Sequence, residues 1–150
     1  MTGVDENASD SFGGAPVDFD RLGVIRERLA AADRFERIED RPTFAPERLV
    51  CVYDQRFYPE RVRTARLDVV WFENRDFSLH YHEEHEAGEF DHRWDRHPSD
   101  HNTRDHVHPG PDAPTPGDDT SHPADWRDVL SRVLSEIEER QRCFWKTADE

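Results

Sequence analysis

Apolar and polar residues alternate along the middle of the chain, and this alternation predicts β-strands. Val, Phe, Tyr and Trp recur in four segments that are separated by short polar connections, which is typical of strands. Two of the connections, at 73–76 and 86–89, are too short to join parallel strands, so an antiparallel meander is expected. The four predicted strands are Leu49–Tyr53, Arg63–Phe72, Phe77–His85 and Phe90–His97.

Apolar residues recur at helical spacing on both sides of these strands and predict two helices. The first begins after a capping aspartate, Asp18 or Asp20, and continues toward Phe35. The second runs from Asp125 to about Phe144. Their apolar stripes are Leu22, Ile25 and Leu29 in the first helix, and Trp126, Val129, Leu130, Val133, Leu134 and Ile137 in the second. The predicted fold class is α+β, a four-stranded antiparallel meander flanked by an N-terminal and a C-terminal helix.

The length of 150 residues suits one domain with a real core. Residues 1–16 are acidic and glycine-rich and are expected to form a disordered tail. Residues 17–146 are expected to form a single α+β domain. Within it, Pro, Gly, His and Asp dominate about 98–123, which predicts an exposed loop.

Side chains two residues apart on a strand share a face of the sheet. The third strand therefore turns Phe77, Leu79 and Tyr81 toward the core, and its histidines toward the other face. If His85 pairs with Phe90 across the turn, Tyr81 meets Trp94, His80 meets Asp95 and His82 meets Arg93. The second face then collects the ionisable side chains of His80, His82, Arg93, Asp95 and His97.

The net charge of the chain affects which ligands the protein can bind. The chain has 34 acidic and 20 basic residues, a formal net charge of −14, and a single lysine, Lys146. Such a lysine-poor acidic surface resembles that of proteins from salt-loving archaea, where molar salt screens the repulsion between carboxylates. The acidity therefore does not exclude a nucleic-acid ligand, but phosphate binding would need a local arginine patch.

Two cysteines, Cys51 and Cys143, stand alone at spacings that fit neither a zinc ribbon nor a disulfide framework, and both are expected to be buried. The longest uninterrupted apolar stretch is Leu49–Tyr53, and the N-terminus lacks the basic and apolar parts of a signal peptide. A cytoplasmic protein without a membrane segment is expected.

Eight of the nine histidines fall between His80 and His108. Three short motifs lie in or next to this region, namely Phe77-Ser78-Leu79-His80-Tyr81, Arg93-Trp94-Asp95 and Asp105-His106-Val107-His108. Together they resemble an archaeal branch of the TumE-like toxins of toxin/antitoxin pairs, over about half of the chain. That resemblance implies a small toxin that is neutralised by a helix-turn-helix antitoxin and acts on RNA. It does not extend to the chemistry of the site.

The first interpretation of the histidine cluster is RNA cleavage without a metal. His106 and His108 would serve as acid and base, because one imidazole can take the 2′-hydroxyl proton while another protonates the leaving oxygen. An aspartate would orient an imidazole, and arginines would hold phosphate. The catalytic set is His106, His108, Asp105, Asp95 and His97, and the phosphate-binding set is Arg93, Arg96 and Arg104.

The second interpretation is a divalent metal site for zinc, manganese or iron. Its ligands would be the pair His80 and His82 or the pair His106 and His108, completed by an aspartate. A third interpretation is a protein without turnover, either a regulatory protein or a toxin that works by binding its RNA target, whose histidines only lie at the surface. The residues leave the three open, and with them the question of whether the protein is an enzyme.

Overall fold

The computed structural model describes residues 15–43 and 47–148, without the side chains of the last two. Seven antiparallel strands form one sheet in the order β1 to β7, so each strand pairs with its neighbours in the chain. The strands are β1 Phe35–Arg41, β2 Arg48–Tyr53, β3 Val62–Trp71, β4 Phe77–His85, β5 Gly88–Arg96, β6 Asp105–His108 and β7 Asp118–Asp119. The helices are α1 Phe19–Ala31, α2 Trp126–Ala148 and a short 3-10 helix at Gln55–Phe57.

Both helices pack on the same face of the sheet. Helix α1 begins after Asp18, whose side chain accepts a hydrogen bond from the Arg21 amide at 2.9 Å. One core cluster joins its buried stripe and the stripe of α2 to the strands, and the predicted α+β class with two helices is confirmed. The buried members include Leu22, Ile25 and Leu29 of α1, Val129, Leu130, Val133 and Ile137 of α2, and Leu67, Val69, Phe77, Leu79, Tyr81 and Trp94 of the strands.

The prediction of four strands is wrong, because three further strands are present. The charged strand β1 lies at the edge of the sheet, where polar side chains meet solvent, so it lacks the apolar signature of an inner strand. Strands β6 and β7 lie inside the segment 98–123 that was predicted as loop. They contain only four and two residues, too few to establish an alternation. The predicted tail at 1–16 lies almost wholly outside the described residues.

The predicted register between the third and fourth strands is wrong by two residues. His85 pairs with Gly88 rather than Phe90, because a two-residue turn at Glu86 and Ala87 joins β4 directly to a strand that starts at Gly88. Across β4 and β5, Tyr81 therefore meets His92 rather than Trp94, His80 meets Arg93, and His82 meets Asp91. A shift of two residues keeps every side chain on its predicted face.

Two further observations concern single features of the fold. Cys51 is buried as predicted, but Cys143 is exposed. The described part of the chain contains no helix that is both long and apolar enough to cross a membrane.

Candidate functional site

The candidate site lies on the sheet face opposite the helices, where β5 and β6 pair. Asp95 faces His106, and Arg93 faces His108. The Nε2 atoms of His106 and His108 lie 3.6 and 3.4 Å from the Asp95 Oδ2 atom. All three side chains are buried, with at most 4% of their surface exposed. Side-chain alternation on two adjacent strands thus brings two imidazoles and a carboxylate together away from solvent.

Main-chain carbonyls of the flanking loops hold both imidazoles by the other ring nitrogen. The Nδ1 atom of His106 lies 3.0 Å from the Thr103 carbonyl oxygen, and that of His108 lies 2.7 Å from the Pro114 carbonyl oxygen. A carbonyl oxygen can only accept a hydrogen bond, so each Nδ1 carries the proton. In a neutral ring Nε2 is then unprotonated, and its lone pair faces the Asp95 carboxylate.

In this buried space two imidazole lone pairs face one carboxylate. Arg93 and His97 contact the same carboxylate from the rim, and a further cation between the three acceptors, either a proton or a metal ion, would stabilise them. Tetrahedral coordination at 2.0–2.2 Å separates neighbouring ligand atoms by about 3.3–3.6 Å, close to the 3.4 and 3.6 Å between each Nε2 and Oδ2. The three ligand atoms all lie within 4.8 Å of one another, so one ion could contact them together. The Asp95 Oδ1 atom is also buried.

His97 and Arg93 form the more exposed rim of the cluster. The Arg93 Nε atom donates to Asp95 Oδ2 at 2.9 Å, and the His97 Nε2 atom lies 3.3 Å from the same oxygen. The His97 side chain is 14% exposed and that of Arg93 is 36% exposed. Both side chains can therefore meet a ligand at the surface while they contact the buried carboxylate.

The site pushes the pKa values of its ionisable groups apart. Burial would raise the pKa of Asp95, but the neighbouring His108 and His97 side chains and the Arg93 charge lower it far below its usual value. Burial lowers the pKa of His106. Burial also opposes the charged form of His97, yet its bonds to Asp95 and to the Pro98 carbonyl raise its pKa overall. His97 thus favours the protonated form and His106 the neutral form.

A second cluster of histidines and an aspartate lies on the same face of the sheet. Its aspartate, Asp91, precedes Asp95 by four residues on β5. His80 Nε2 and His82 Nδ1 lie 2.7 and 2.8 Å from the same oxygen, Oδ1 of Asp91. These are ordinary hydrogen-bond distances, so both rings satisfy the carboxylate without a metal. Burial would raise the pKa of Asp91, and the two histidines lower it overall. This cluster contains the predicted ligands His80 and His82, but not the predicted partner Asp95.

Three predicted site residues lie outside the buried cluster. Arg96 and Asp105 point toward the helix side, because they alternate with Asp95 and His106 along their strands. The Arg96 Nε atom donates to Asp105 Oδ1 at 2.8 Å, and its Nη2 atom donates to the Pro123 carbonyl at 2.8 Å, which anchors the entry to α2. Arg104 instead binds the buried carboxylate of Asp76.

Sequence reasoning missed two contributors. His122, which stands alone in the sequence, is buried, and its Nε2 atom lies 3.0 Å from the Asp95 carbonyl oxygen, where it supports the strand that carries the site. The main-chain carbonyls that orient His106 and His108 belong to Thr103 and Pro114. A carbonyl is common to every residue, so no side-chain pattern could have revealed these contacts.

Comparison with known families matches the chain to one family model. The model described as Toxin TumE matches residues 24–141, which include most of the first helix, the whole apolar stripe of the second and every residue of the buried cluster. Comparisons with curated proteins and with solved structures give no match.

Proposed function

The chain belongs to the TumE toxin family, and on that premise we propose that it is a toxin component that cleaves RNA with a divalent metal held by Asp95, His106 and His108. The observation that carries the proposal is the tautomer of the two imidazoles. Loop carbonyls bind both Nδ1 atoms, so both Nε2 lone pairs converge on a buried carboxylate. Histidine ligands of metals are typically fixed in this way.

The three ligands limit which metal ions the site would bind. Two imidazoles and one carboxylate suit zinc, manganese or iron, and they leave coordination positions for water and a phosphate oxygen. A metal bound here would polarise the scissile phosphate as a Lewis acid. Of the two predicted ligand pairs, we choose His106 and His108, because His80 and His82 already form hydrogen bonds with Asp91.

The rim residues supply the remaining chemistry. The RNA 2′-hydroxyl attacks phosphorus and loses its proton to solvent water, while the bond from phosphorus to the 5′-oxygen breaks. His97, whose pKa is raised, protonates the leaving oxygen. Arg93 stabilises the negative charge on the phosphoryl oxygens. We propose roles as metal ligands for His106 and His108 in place of their predicted acid and base roles, because both Nε2 atoms face the Asp95 carboxylate.

A toxin of this kind requires a neutralising partner, and we propose a helix-turn-helix antitoxin. The alternative of a metal site without turnover is favoured by one observation: Asp95, His106 and His108 are each at most 3% exposed. In that case the metal would only stabilise the contact between β5 and β6.

The test compares wild-type protein with His106→Ala/His108→Ala and with a matched control, His80→Ala/His82→Ala. Metal content is measured by mass spectrometry on untagged protein, and cleavage of single-stranded RNA is measured with and without chelator. We expect one metal per chain and chelator-sensitive cleavage in wild type and control, and neither in the His106/His108 variant. Metal without cleavage would leave the structural alternative, and cleavage without metal would overturn the proposed ligand set.

A further inference from the structure

A cavity lies where the N-terminal ends of α1 and α2 meet the turn between β3 and β4. Its volume is about 340 Å³, within the range of about 300–1,000 Å³ that is common for ligand sites. Two tryptophans and three arginines from these separate parts of the chain line it, namely Trp71, Trp126, Arg21, Arg75 and Arg127. This cavity lies apart from the residues of the buried histidine cluster.

The cavity is positively charged in an otherwise acidic protein. Arg127 pairs with Asp125 at 3.1 Å, whereas Arg21 and Arg75 form no ion pair with any carboxylate in the described residues. The cavity therefore contains two arginine charges without a counterion among the described residues. The whole chain, by contrast, has a net charge of −14. Such a local patch is what phosphate binding requires on an acidic surface.

Trp126 holds two of the guanidinium groups in place. The guanidinium carbons of Arg21 and Arg127 lie 5.2 and 5.0 Å from its ring centroid, within the range of cation–π attraction. The Trp126 side chain is also nine-tenths buried, and its Nε1–H has no hydrogen-bond acceptor among the described residues. The ring of Trp126 is therefore a fixed support for the two guanidinium groups.

We propose that this cavity binds a phosphate group of the RNA substrate, away from the scissile phosphate, through the guanidinium groups of Arg21 and Arg75. Guanidinium groups bind phosphate by paired, charge-assisted hydrogen bonds, and Trp126 already orients that of Arg21. The inference deepens the proposed function and rests on RNA being the substrate.

The topology connects the cavity to the buried cluster at one end of the sheet. Arg75 lies in the turn three residues before Ser78, which pairs with Asp95, so at most about 10 Å of chain separates Arg75 from Ser78. Arg104 binds Asp76 in the same turn, and the Thr103 carbonyl beside it holds His106. An RNA strand that rounds this end of the sheet would meet the cavity and then the cluster.

The experiment measures binding of a 2′-O-methylated oligoribonucleotide, which cannot be cleaved at its blocked 2′-oxygens, by fluorescence anisotropy at several salt concentrations. Arg21→Ala/Arg75→Ala is compared with Arg48→Ala/Arg63→Ala, which removes two exposed arginines that form no ion pair with the described residues and changes the net charge equally. We expect the first variant to raise Kd by about tenfold or more and to reduce the salt slope by about 0.7, the value for one lost phosphate contact on a single strand. The control should keep both the affinity and the slope close to wild type.

Two outcomes would decide against the proposal. Equal weakening in both double variants would mean that only the general charge matters. Loss of inorganic phosphate or mononucleotide binding with unchanged oligonucleotide binding would assign the cavity to a small phosphorylated molecule instead. Should Arg21→Ala/Arg75→Ala fail to fold, the single variant Arg75→Gln in the exposed turn gives the same comparison. A His106→Ala/His108→Ala protein that binds RNA normally without cleaving it separates this inference from the cleavage proposal.

Discussion

Two clusters of two histidines and one aspartate lie on the same face of β5, and they differ in what holds the imidazoles. In the outer cluster, His80 and His82 donate directly to Asp91 at 2.7 and 2.8 Å. In the inner cluster, His106 and His108 donate to loop carbonyls and leave their Nε2 atoms at 3.6 and 3.4 Å from Asp95. Identical residue types thus give one cluster whose imidazoles are used by hydrogen bonds to the carboxylate and one whose two Nε2 atoms remain able to bind a cation.

Burial increases this difference. Asp91 keeps 26% of its side-chain surface exposed, so water can relieve any imperfect contact, whereas Asp95 keeps 1%. The interactions of a buried carboxylate are worth more, and their loss costs more, because water does not replace them. The comparison shows that the atoms around a histidine, rather than the histidine itself, decide whether it can serve as a ligand.

The largest expected effect comes from removing each carboxylate charge in metal-free protein. Asp95→Asn leaves Arg93 and His97 beside a buried neutral amide, so we expect a loss of about 3–5 kcal/mol of unfolding free energy. Asp91→Asn, the matched change at the more exposed cluster, should cost less than about 1 kcal/mol. Guanidinium unfolding with chelator present measures both. Similar losses in the two variants would remove the distinction between the clusters.

The next effect concerns the loop that covers the inner cluster. A Cβ atom at Gly117 would lie 2.2 Å from the Val107 carbonyl oxygen and 3.0 Å from His108 Nδ1, so Gly117→Ala must displace the loop. We expect the free energy of unfolding to fall by about 1–3 kcal/mol. The metal affinity should fall by about 10- to 100-fold.

The control for this change is Gly23→Ala in α1, where nothing lies within 4 Å of the added atom. This substitution should stabilise the protein by about 0.5–1 kcal/mol, because alanine is the better helix former. Thermal unfolding and metal titration distinguish the two variants. Unchanged metal affinity in Gly117→Ala would mean that the loop does not orient His108.

The pH dependence of stability should separate the clusters further. Both aspartates have pKa values below their ordinary range, and that of Asp95 is lowered more. A carboxylate whose pKa is lowered by folding stabilises the protein above its unfolded pKa of about 3.9, and this stabilisation is lost as pH falls through the folded value. We therefore expect Asp95→Asn to flatten the decline in stability below about pH 4 more than Asp91→Asn does.

Chemical denaturation of metal-free protein between neutral pH and pH 2 measures these slopes. A steeper acid decline in Asp95→Asn than in wild type would contradict the assigned direction.

The smallest effect is the position of single protons. We expect the nitrogen chemical shifts of neutral His106 and His108 to report a protonated Nδ1, and those of His80 a protonated Nε2, because these are the atoms that face acceptors. Two-dimensional NMR of the imidazole nitrogens in metal-free protein measures them. A protonated Nε2 on both His106 and His108 would satisfy Asp95 directly and would remove the need for a metal.

The sequence predicted the central strands and both helices because their apolar residues recur with a clear period. Strands β3 and β4 alternate over ten and nine residues, which is long enough for the pattern to be distinctive. Strand β6 has four residues, two of them histidines, and so resembles a polar loop. The register error arose from the turn, since nothing in Glu86 and Ala87 distinguishes a two-residue connection from a longer one.

The candidate site was predicted as a set of residues but not as an arrangement. The density of histidines pointed to Asp95, His97, His106 and His108, and the structure brings these four together. Strand alternation alone could have excluded Arg96, because it adjoins Asp95 and must face the other way. The ring nitrogen that each histidine presents depends on loop carbonyls, which have no signature in the sequence.

The use of main-chain carbonyls to hold His106 and His108 has a consequence for how the family can diverge. A carbonyl survives almost any substitution of its residue, so the loops at 98–104 and 109–117 can change their side chains while they keep the imidazoles oriented. Insertions and deletions are different, because they move the carbonyl itself. Selection on this part of the protein should therefore act on loop length and backbone path, and an alignment that scores residue identity would misjudge two essential segments as dispensable.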